Sequence, residues 1–300
     1  MASWLLVIIL AYLFFAFSSL GDKVVLSGPP NPKSYTFYVG LLNILILFVI
    51  PFTGLENPGL TMMCWIIFDA IVFVLGLYSG FLAVDNFEVS KVTTTIGATQ
   101  PIFIFFISWF FWGYQELTFV NFIAFFLLFI GSLVISFGKK PELTGKFLKI
   151  TAFSSLMYSV DYVLAKFIFA NFSFVQGLIW RSIFIFLLVL VLLLKKENRR
   201  QIFKKKIREN KKLEKLFLAT QTCGGVANIL QSFAIYLTPI AFLPIINSLR
   251  GMQFVFLFVI TITVSFFFPK ILKEEISKKI ILRKSFAIIL IILGLGLLVF

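Results

Sequence analysis

Long apolar runs alternate with short polar segments along the whole chain. Most of these runs approach the roughly 20 residues that an α-helix needs to cross the hydrocarbon core of a bilayer. The pattern predicts ten transmembrane helices, at Trp4–Leu20, Tyr35–Phe52, Met62–Val84, Val89–Trp112, Phe119–Phe137, Leu148–Ala170, Phe174–Leu194, Leu216–Leu237, Phe242–Phe268 and Phe286–Phe300. The alternating pattern of a membrane-spanning β-strand is absent.

Composition supports an all-α integral membrane protein. Of the 300 residues, 60% are hydrophobic and only 13% are charged, which is too little charge to cover the surface of a soluble domain of this size. Histidine is absent, so the commonest proton relay and metal ligand is missing. No catalytic triad, metal cluster or glycine-rich phosphate loop is present. The sequence therefore predicts neither an enzyme nor a bound cofactor or metal.

The basic residues are distributed unevenly among the connections. If the connections from odd to even runs share one face, that face holds 24 of the 27 lysines and arginines, and the loops of the other face hold none. Loops rich in lysine and arginine stay in the cytoplasm. We therefore expect a multi-pass protein of the plasma membrane with both termini outside.

The Lys195–Lys215 linker carries 11 of these basic residues, with apolar residues interleaved. Such a segment is typical of a surface helix that rests on anionic lipid headgroups. Binding of phosphate or nucleic acid by this run is a less favoured alternative, and nucleic acid is not predicted as a partner.

The two halves of the sequence resemble one another weakly. A shift of 153 residues matches Thr95 with Ser248 and Gln100 with Gln253, and the fifth and tenth runs each have a late glycine, Gly131 and Gly294. Five helices per half means that the halves insert in opposite orientations. We predict two inverted five-helix repeats, in residues 1–138 and 147–300, which is the organisation of alternating-access carriers.

Several short motifs resemble those of the drug/metabolite transporter superfamily, in its EamA-like ten-helix branch. They are Pro101, the Gln115–Thr118 turn, Gly131, the pair Trp180 and Arg181, and the Lys273–Ser277 turn. Phe254 stands where the family has a second proline, and family members usually keep both termini in the cytoplasm, unlike the charge-based orientation here. The resemblance implies two EamA-like repeats and transport of small metabolites.

Polar side chains within two matched runs predict a path through the membrane. Asn247, Arg250 and Gln253 recur every third residue in the ninth run, and Thr93, Gly97 and Gln100 form a similar stripe in the fourth. Because such groups would be unsatisfied in lipid, they must face protein or water. We read the first set as a charged wall and the second as a neutral wall of a substrate cavity.

Two amides of the eighth run, Asn228 and Gln231, are further candidates for this cavity. For the amides taken singly, hydrogen bonding between helices is the competing role. For Arg250, the alternative to a cavity position is a buried pair with Asp69.

Four more ionisable residues lie within runs, where charge is costly and often functional. Asp69 is the candidate for proton coupling, with a helix–helix hydrogen bond as its alternative. Lys166 and Arg181 are predicted at the mouth of the cavity or reaching to headgroups, and Asp161 in a structural ion pair with one of them.

These features predict a secondary active transporter of small organic metabolites, either amino-acid-like or anionic. No nucleotide-binding domain is present, so transport would be driven by a gradient or by exchange. The alternative is a lipid-handling or structural multi-span protein without solute transport. A small-molecule substrate and the lipid bilayer are the expected partners, and a homodimer is a further option.

The charge distribution generates a test of orientation. A reporter that is active only outside the cytoplasm should be active when fused to either terminus and inactive when inserted in the Lys195–Lys215 linker, because the basic loops hold that face inside. A cytoplasmic carboxy terminus would contradict this topology.

Overall fold

The protein is helical throughout the part of the chain that the structure describes. The computed structural model describes residues 3–25, 32–87, 89–113, 118–136, 144–202, 211–267 and 278–299, and no strand occurs among them. The ten predicted apolar runs fall on helices in these ranges. The protein therefore has the all-α architecture expected of its apolar sequence.

Thirteen α-helices make up the described chain. They are α1 (Ser3–Val25), α2 (Pro32–Leu42), α3 (Ile50–Thr53), α4 (Gly59–Asn86), α5 (Val89–Trp112), α6 (Phe119–Ser136), α7 (Gly145–Asn171), α8 (Phe174–Val191), α9 (Lys196–Ile202), α10 (Lys211–Leu237), α11 (Leu243–Ser248), α12 (Gly251–Phe267) and α13 (Lys278–Val299). Thirteen helices for ten predicted runs means that two runs are divided and that the linker has one helix of its own, α9.

Seven helical segments of the described chain are long and apolar enough to cross a membrane. They are Ser3–Gly21, Pro32–Thr53, Gly59–Asn86, Lys91–Trp112, Gly145–Asn171, Phe174–Leu194 and Ile240–Thr263. Helices α6, α10 and α13, at the fifth, eighth and tenth predicted runs, are not among them; α6 is apolar but shorter. The structure is thus that of a membrane-embedded protein, and the count of ten spans stays a prediction.

Two predicted spans are not single α-helices. In the second, Asn43 donates its side-chain amide to the carbonyls of Val39 and Gly40, and a 3-10 segment, Asn43–Val49, separates α2 from α3. In the ninth, a turn separates α11 from α12. The period of apolar residues is insensitive to such interruptions, since both halves of each span remain apolar.

The helices form two compact units, which we name unit 1 and unit 2. Unit 1 contains α1, α6 and α10 to α13. In it α1 packs against α10 and α12, and α6 packs against α13, α12 and α11.

Unit 2 contains α2 to α5 and α7 to α9. In it α4 packs against α7, α8 and α2. Three serines of α7 bind backbone carbonyls of neighbouring helices: Ser154 that of Gly76, Ser155 that of Ile96, and Ser159 that of Gln100. Small hydroxyl residues of this kind allow close helix approach and hydrogen-bond across helices in membranes.

Each unit draws helices from both halves of the sequence. Unit 1 combines the first and fifth predicted spans with the last three, and unit 2 combines the second, third and fourth with the sixth and seventh. A sequence repeat need not be a compact unit, so the repeat boundaries at residues 1–138 and 147–300 stay a prediction.

Polar contacts join the connections of unit 2 in two separate groups. Lys33 Nζ donates to Asn198 Oδ1 at 2.8 Å, and Lys146 Nζ donates to Asn86 Oδ1 at 2.6 Å. Both contacts join connections that the charge pattern assigns to the basic face. By contrast, the Glu56 backbone N–H donates to the side chain of Gln176, so two connections assigned to the other face meet each other.

The glycines matched in the fifth and tenth runs lie at one helix crossing in unit 1. A Cβ on Gly131 of α6 would stand 2.7 Å from Ile291 Cγ1 and 3.1 Å from the Ala287 carbonyl of α13. A Cβ on Gly294 of α13 would stand 2.8 Å from Leu128 of α6. Each helix thus presents a glycine to the other, which permits close approach of the backbones.

This crossing predicts a position-dependent effect of alanine. Gly131→Ala and Gly294→Ala should each destabilise the protein by about 1–3 kcal/mol, because the added methyl overpacks the crossing. Gly296→Ala is the matched control, since nothing lies within 4 Å of a Cβ there. Thermal unfolding in detergent measures the difference; equal effects at Gly294 and Gly296 would contradict the crossing.

Candidate functional site

The ninth span is interrupted next to a predicted substrate residue. The Arg250 N–H bonds the Asn247 carbonyl at 3.0 Å, and the Met252 N–H bonds the Leu249 carbonyl at 2.8 Å. These bonds reach back three residues instead of the four of an α-helix. The chain therefore turns at Leu249 and Arg250 before α12 begins.

The turn releases backbone carbonyls, and side chains of neighbouring helices bind them. The Tyr12 hydroxyl of α1 donates to the Ile246 carbonyl at 3.1 Å, and Ser132 Oγ of α6 donates to the Ser248 carbonyl at 2.8 Å. Gly251 gives Ser132 the space to do so, because a Cβ there would stand 2.3 Å from Ser132 Oγ. Bonds of this kind allow a helix to be broken inside a membrane.

Asn247 differs from these satisfied groups. Its side chain is 1% exposed, and neither its Nδ2 nor its Oδ1 has a hydrogen-bond partner in the part of the chain that the structure describes. Leaving a buried amide group without a hydrogen bond costs about 1–3 kcal/mol. The amide is thus available to a polar ligand in unit 1.

Further polar groups surround the turn in unit 1. Gln253 Nε2 donates to Ser19 Oγ of α1 at 2.9 Å. The side chain of Gln231, on α10, lies within hydrogen-bonding reach of the Tyr12 hydroxyl, and the half-buried Arg250 acts on that hydroxyl electrostatically. We call Tyr12, Gln231, Asn247, Arg250 and Gln253 the turn cluster.

The turn cluster lies deep in its span. Arg250 follows Ile240, the start of the seventh apolar segment, by ten residues, which is about 15 Å at 1.5 Å per residue. A hydrocarbon core is roughly 30 Å thick. By this measure the break falls near the middle of the bilayer.

A second cluster, in unit 2, joins three ionisable residues from three helices. Arg181 of α8 binds Asp69 of α4 through Nε and Oδ2, and binds Asp161 of α7 through Nη2 and Oδ1 at 2.6 Å. Its guanidinium also lies 5.7 Å from the ring centroid of Phe169. We call Asp69, Asp161 and Arg181 the charge cluster.

Asp69 and Arg181 are buried, and Asp161 is partly buried, with 14% of its side chain exposed. Asp69 is 0% exposed, and it follows the start of α4 at Gly59 by ten residues, or about 15 Å. Asp161 forms its ion pair with Arg181, one of the two partners predicted for it. The carboxylate considered as a partner of Arg250, Asp69, is bound to Arg181.

The remaining predicted site residues are spread over both units. In unit 2, Gly97 and Gln100 are buried on α5, Thr93 of the same helix is exposed, and Lys166 of α7 is buried. In unit 1, Asn228 is exposed on α10. The two predicted walls thus belong to different compact units, and their pairing stays a prediction.

Other predictions fall partly outside the described residues. The Lys273–Ser277 turn lies wholly outside them, as do Gln115 to Leu117 and residues 203–210 of the basic linker. Within the linker, α9 is described: Arg199 and Arg200 are exposed, whereas Ile202 packs with Phe37 and Val189. Ile202 is therefore part of the core of unit 2 and does not face lipid headgroups.

Sequence reasoning missed Tyr12 and Ser132. Each is a hydroxyl in an apolar run: Tyr12 has no polar residue three or four places away, and Ser132 has only Ser136, so neither belongs to a polar stripe. Gly251 was a usable signal for the break, because a glycine beside an arginine in a membrane span suggests a departure from regular helix.

Comparison with known proteins yields a fold and nothing finer. No family model and no curated protein matches the sequence. Among solved structures 28 chains match. One of them, described simply as "Crystal structure of protein", superposes with a TM-score of 0.71 at 13% identity, over 99% of this chain and 96% of its own. At that identity the similarity shows a shared fold alone.

The charge cluster predicts that the effects of three substitutions on the stability of the protein are strongly non-additive. Arg181→Met should destabilise the protein by about 3–5 kcal/mol, because it leaves the buried Asp69 and the partly buried Asp161 without their cation. Adding Asp69→Asn and Asp161→Asn to that variant should recover part of the loss, since the uncompensated charges are then gone.

Thermal unfolding in detergent measures both variants. Lys146→Met is the control, because its hydrogen bond to Asn86 is at the surface, and surface changes usually stay within about 0.5 kcal/mol. A triple variant that is no more stable than Arg181→Met would contradict an electrostatic origin of the loss.

Proposed function

We propose that the protein is a secondary active transporter of small organic metabolites, and that the turn cluster binds the substrate. The observation that carries this proposal is the broken ninth span, with Arg250 at the turn and the unsatisfied amide of Asn247 beside it. In carriers, discontinuous helices near the bilayer midplane form substrate sites.

The chemistry of the turn cluster favours an anionic or amino-acid-like substrate. Guanidinium groups bind carboxylate and phosphate with two parallel hydrogen bonds. The amide of Asn247 can donate to one substrate oxygen and accept from a substrate N–H or O–H. We therefore assign the charged group of the substrate to Arg250 and a neighbouring polar group to Asn247, with Gln253 and Gln231 as further contacts.

The pattern of helix pairs supports two inverted repeats. In unit 1 the first span, α1, pairs with the eighth, α10; in unit 2 the sixth span, α7, pairs with the third, α4. A shift of five spans converts one pair into the other. The fifth and tenth spans pair with each other through Gly131 and Gly294, as a repeat of this kind requires. Membership of the drug/metabolite transporter superfamily is part of the same proposal.

The contacts between connections support the proposed orientation in the plasma membrane. In unit 2 each polar contact of this kind joins connections assigned to the same face, Lys33 with Asn198 and Asn86 with Lys146. With the basic face in the cytoplasm, both termini are outside.

Solute counterflow in proteoliposomes tests transport itself. Saturable exchange of at least one amino acid or organic anion, from a broad radiolabelled panel, is the expected result. Absence of flux for the whole panel, with native-like unfolding of the reconstituted protein, would favour the alternative of a lipid-handling or structural membrane protein.

Arg250→Gln tests the site. Flux of an anionic substrate should fall at least tenfold while insertion and thermal stability stay normal, because the cation that binds the anion is lost. Lys149→Gln is the control, since it removes one positive charge from an exposed position on α7. Unchanged affinity in Arg250→Gln would remove this residue from the site.

A further inference from the structure

We propose that the charge cluster is a proton-binding site, in which Asp69 and Asp161 share one proton while both are bound to a single arginine, Arg181. The argument for proton binding uses only the geometry of unit 2. The further step, in which this proton is released and bound in each transport cycle and so couples transport to a proton gradient, rests on the proposed function.

The first step of the argument is a count of charge. Arg181 carries one positive charge, and it is bound to two carboxylates from two other helices. With both aspartates ionised, the cluster carries one uncompensated negative charge. Burial of such a charge in a bilayer is costly even on the most favourable scales. One bound cation makes the cluster neutral.

The second step identifies that cation. Asp69 Oδ1 is buried and has no hydrogen-bond partner among the described residues, although Oδ2 of the same carboxylate is bound to Arg181. Two nitrogens of the same guanidinium bind Asp69 and Asp161, so the two carboxyl groups are close neighbours. An ionised carboxylate can only accept, so two of them cannot bond. A single proton on one of the two carboxyl groups supplies the hydrogen-bond donor that both groups lack.

The surroundings of the cluster leave this assignment unchanged. The charged groups that act on each aspartate are Arg181 and the other carboxyl group. Lys166, the basic residue of α7 nearest to Asp161 in sequence, is buried but is not one of those groups. Tyr162 of the same helix is also buried.

Proton binding has a structural consequence. When a hydronium ion delivers a proton, one of its O–H bonds breaks as the carboxyl O–H bond forms, a water molecule leaves, and the net charge of the cluster changes from −1 to zero. The cluster joins α4, α7 and α8, so the charge change acts on the packing of three helices. Helix packing that depends on a proton is what a proton-coupled carrier needs to link occupancy to conformation.

Infrared spectroscopy of the full chain in lipid nanodiscs tests proton binding without any substrate. The sequence has only four aspartates, so isotope-labelled aspartate isolates their carboxylic acid C=O stretching band. The wild type should show this band at neutral pH. Asp69→Asn and Asp161→Asn should each abolish it completely, because either change leaves one carboxylate paired with Arg181 and no excess charge.

Two variants control for unfolding and for position. Asp85→Asn, at the exposed end of α4, should leave the band unchanged. Asp161→Glu should keep a shared acid and weaken the aspartate-labelled band without abolishing it, because part of the proton then lies on the unlabelled glutamate. A wild type without a band, or a band lost in only one of the two asparagine variants, would overturn the shared proton. Stabilisation by Na⁺ that disappears in Asp161→Asn would assign the site to a metal cation instead and also overturn it.

Transport measurements then separate coupling from transport. With a solute from the counterflow panel, a pH gradient should drive accumulation in the wild type, whereas Asp161→Asn should retain counterflow at equal pH and lose accumulation. Accumulation that persists in Asp161→Asn would refute the coupling step. If no solute exchanges at all, the transporter proposal fails while the infrared result still decides proton binding.

Discussion

Polar groups in the hydrocarbon core of a bilayer have no water to bind, and the described structure follows from how each group meets this constraint. In unit 2 the serines of α7 bind carbonyls of α4 and α5, and Arg181 binds two carboxylates. In unit 1 Tyr12 and Ser132 bind the carbonyls that the broken ninth span releases. The polar residues within the spans therefore determine which helices pack together.

The two clusters meet the constraint to different degrees, and this separates their proposed roles. Arg181 is fully engaged by protein groups, so it has little capacity for a substrate and is suited to an internal switch of charge. Asn247 retains both of its polar groups, so it can bind a molecule that arrives from outside the protein. Burial alone would instead point to the charge cluster as the substrate site, because Asp69 is the most deeply buried charged residue in the described part of the chain.

The sequence was sufficient for the helical architecture and for part of the charge chemistry. Apolar runs of about 20 residues predict helices reliably, and the cost of isolated charge predicts an ion pair of Asp161 with Arg181 or Lys166, of which the structure has Arg181. The apolar pattern did not predict the break at Leu249 and Arg250, because both sides of it are equally apolar; Gly251 was the local signal that could have indicated it. Tyr12 was missed for a related reason: its role depends on a carbonyl that only the break exposes.

The pairing of α1 with α10 constrains how the protein is made. Roughly 190 residues separate the end of α1 from the start of α10, and ribosomes add about 5–20 residues per second. The first helix therefore waits in the bilayer for roughly 10–40 s before its main partner is synthesised. During that interval its tyrosine hydroxyl lacks the carbonyl it will bind, so biogenesis depends on transient protection of α1, by lipid or by the insertion machinery.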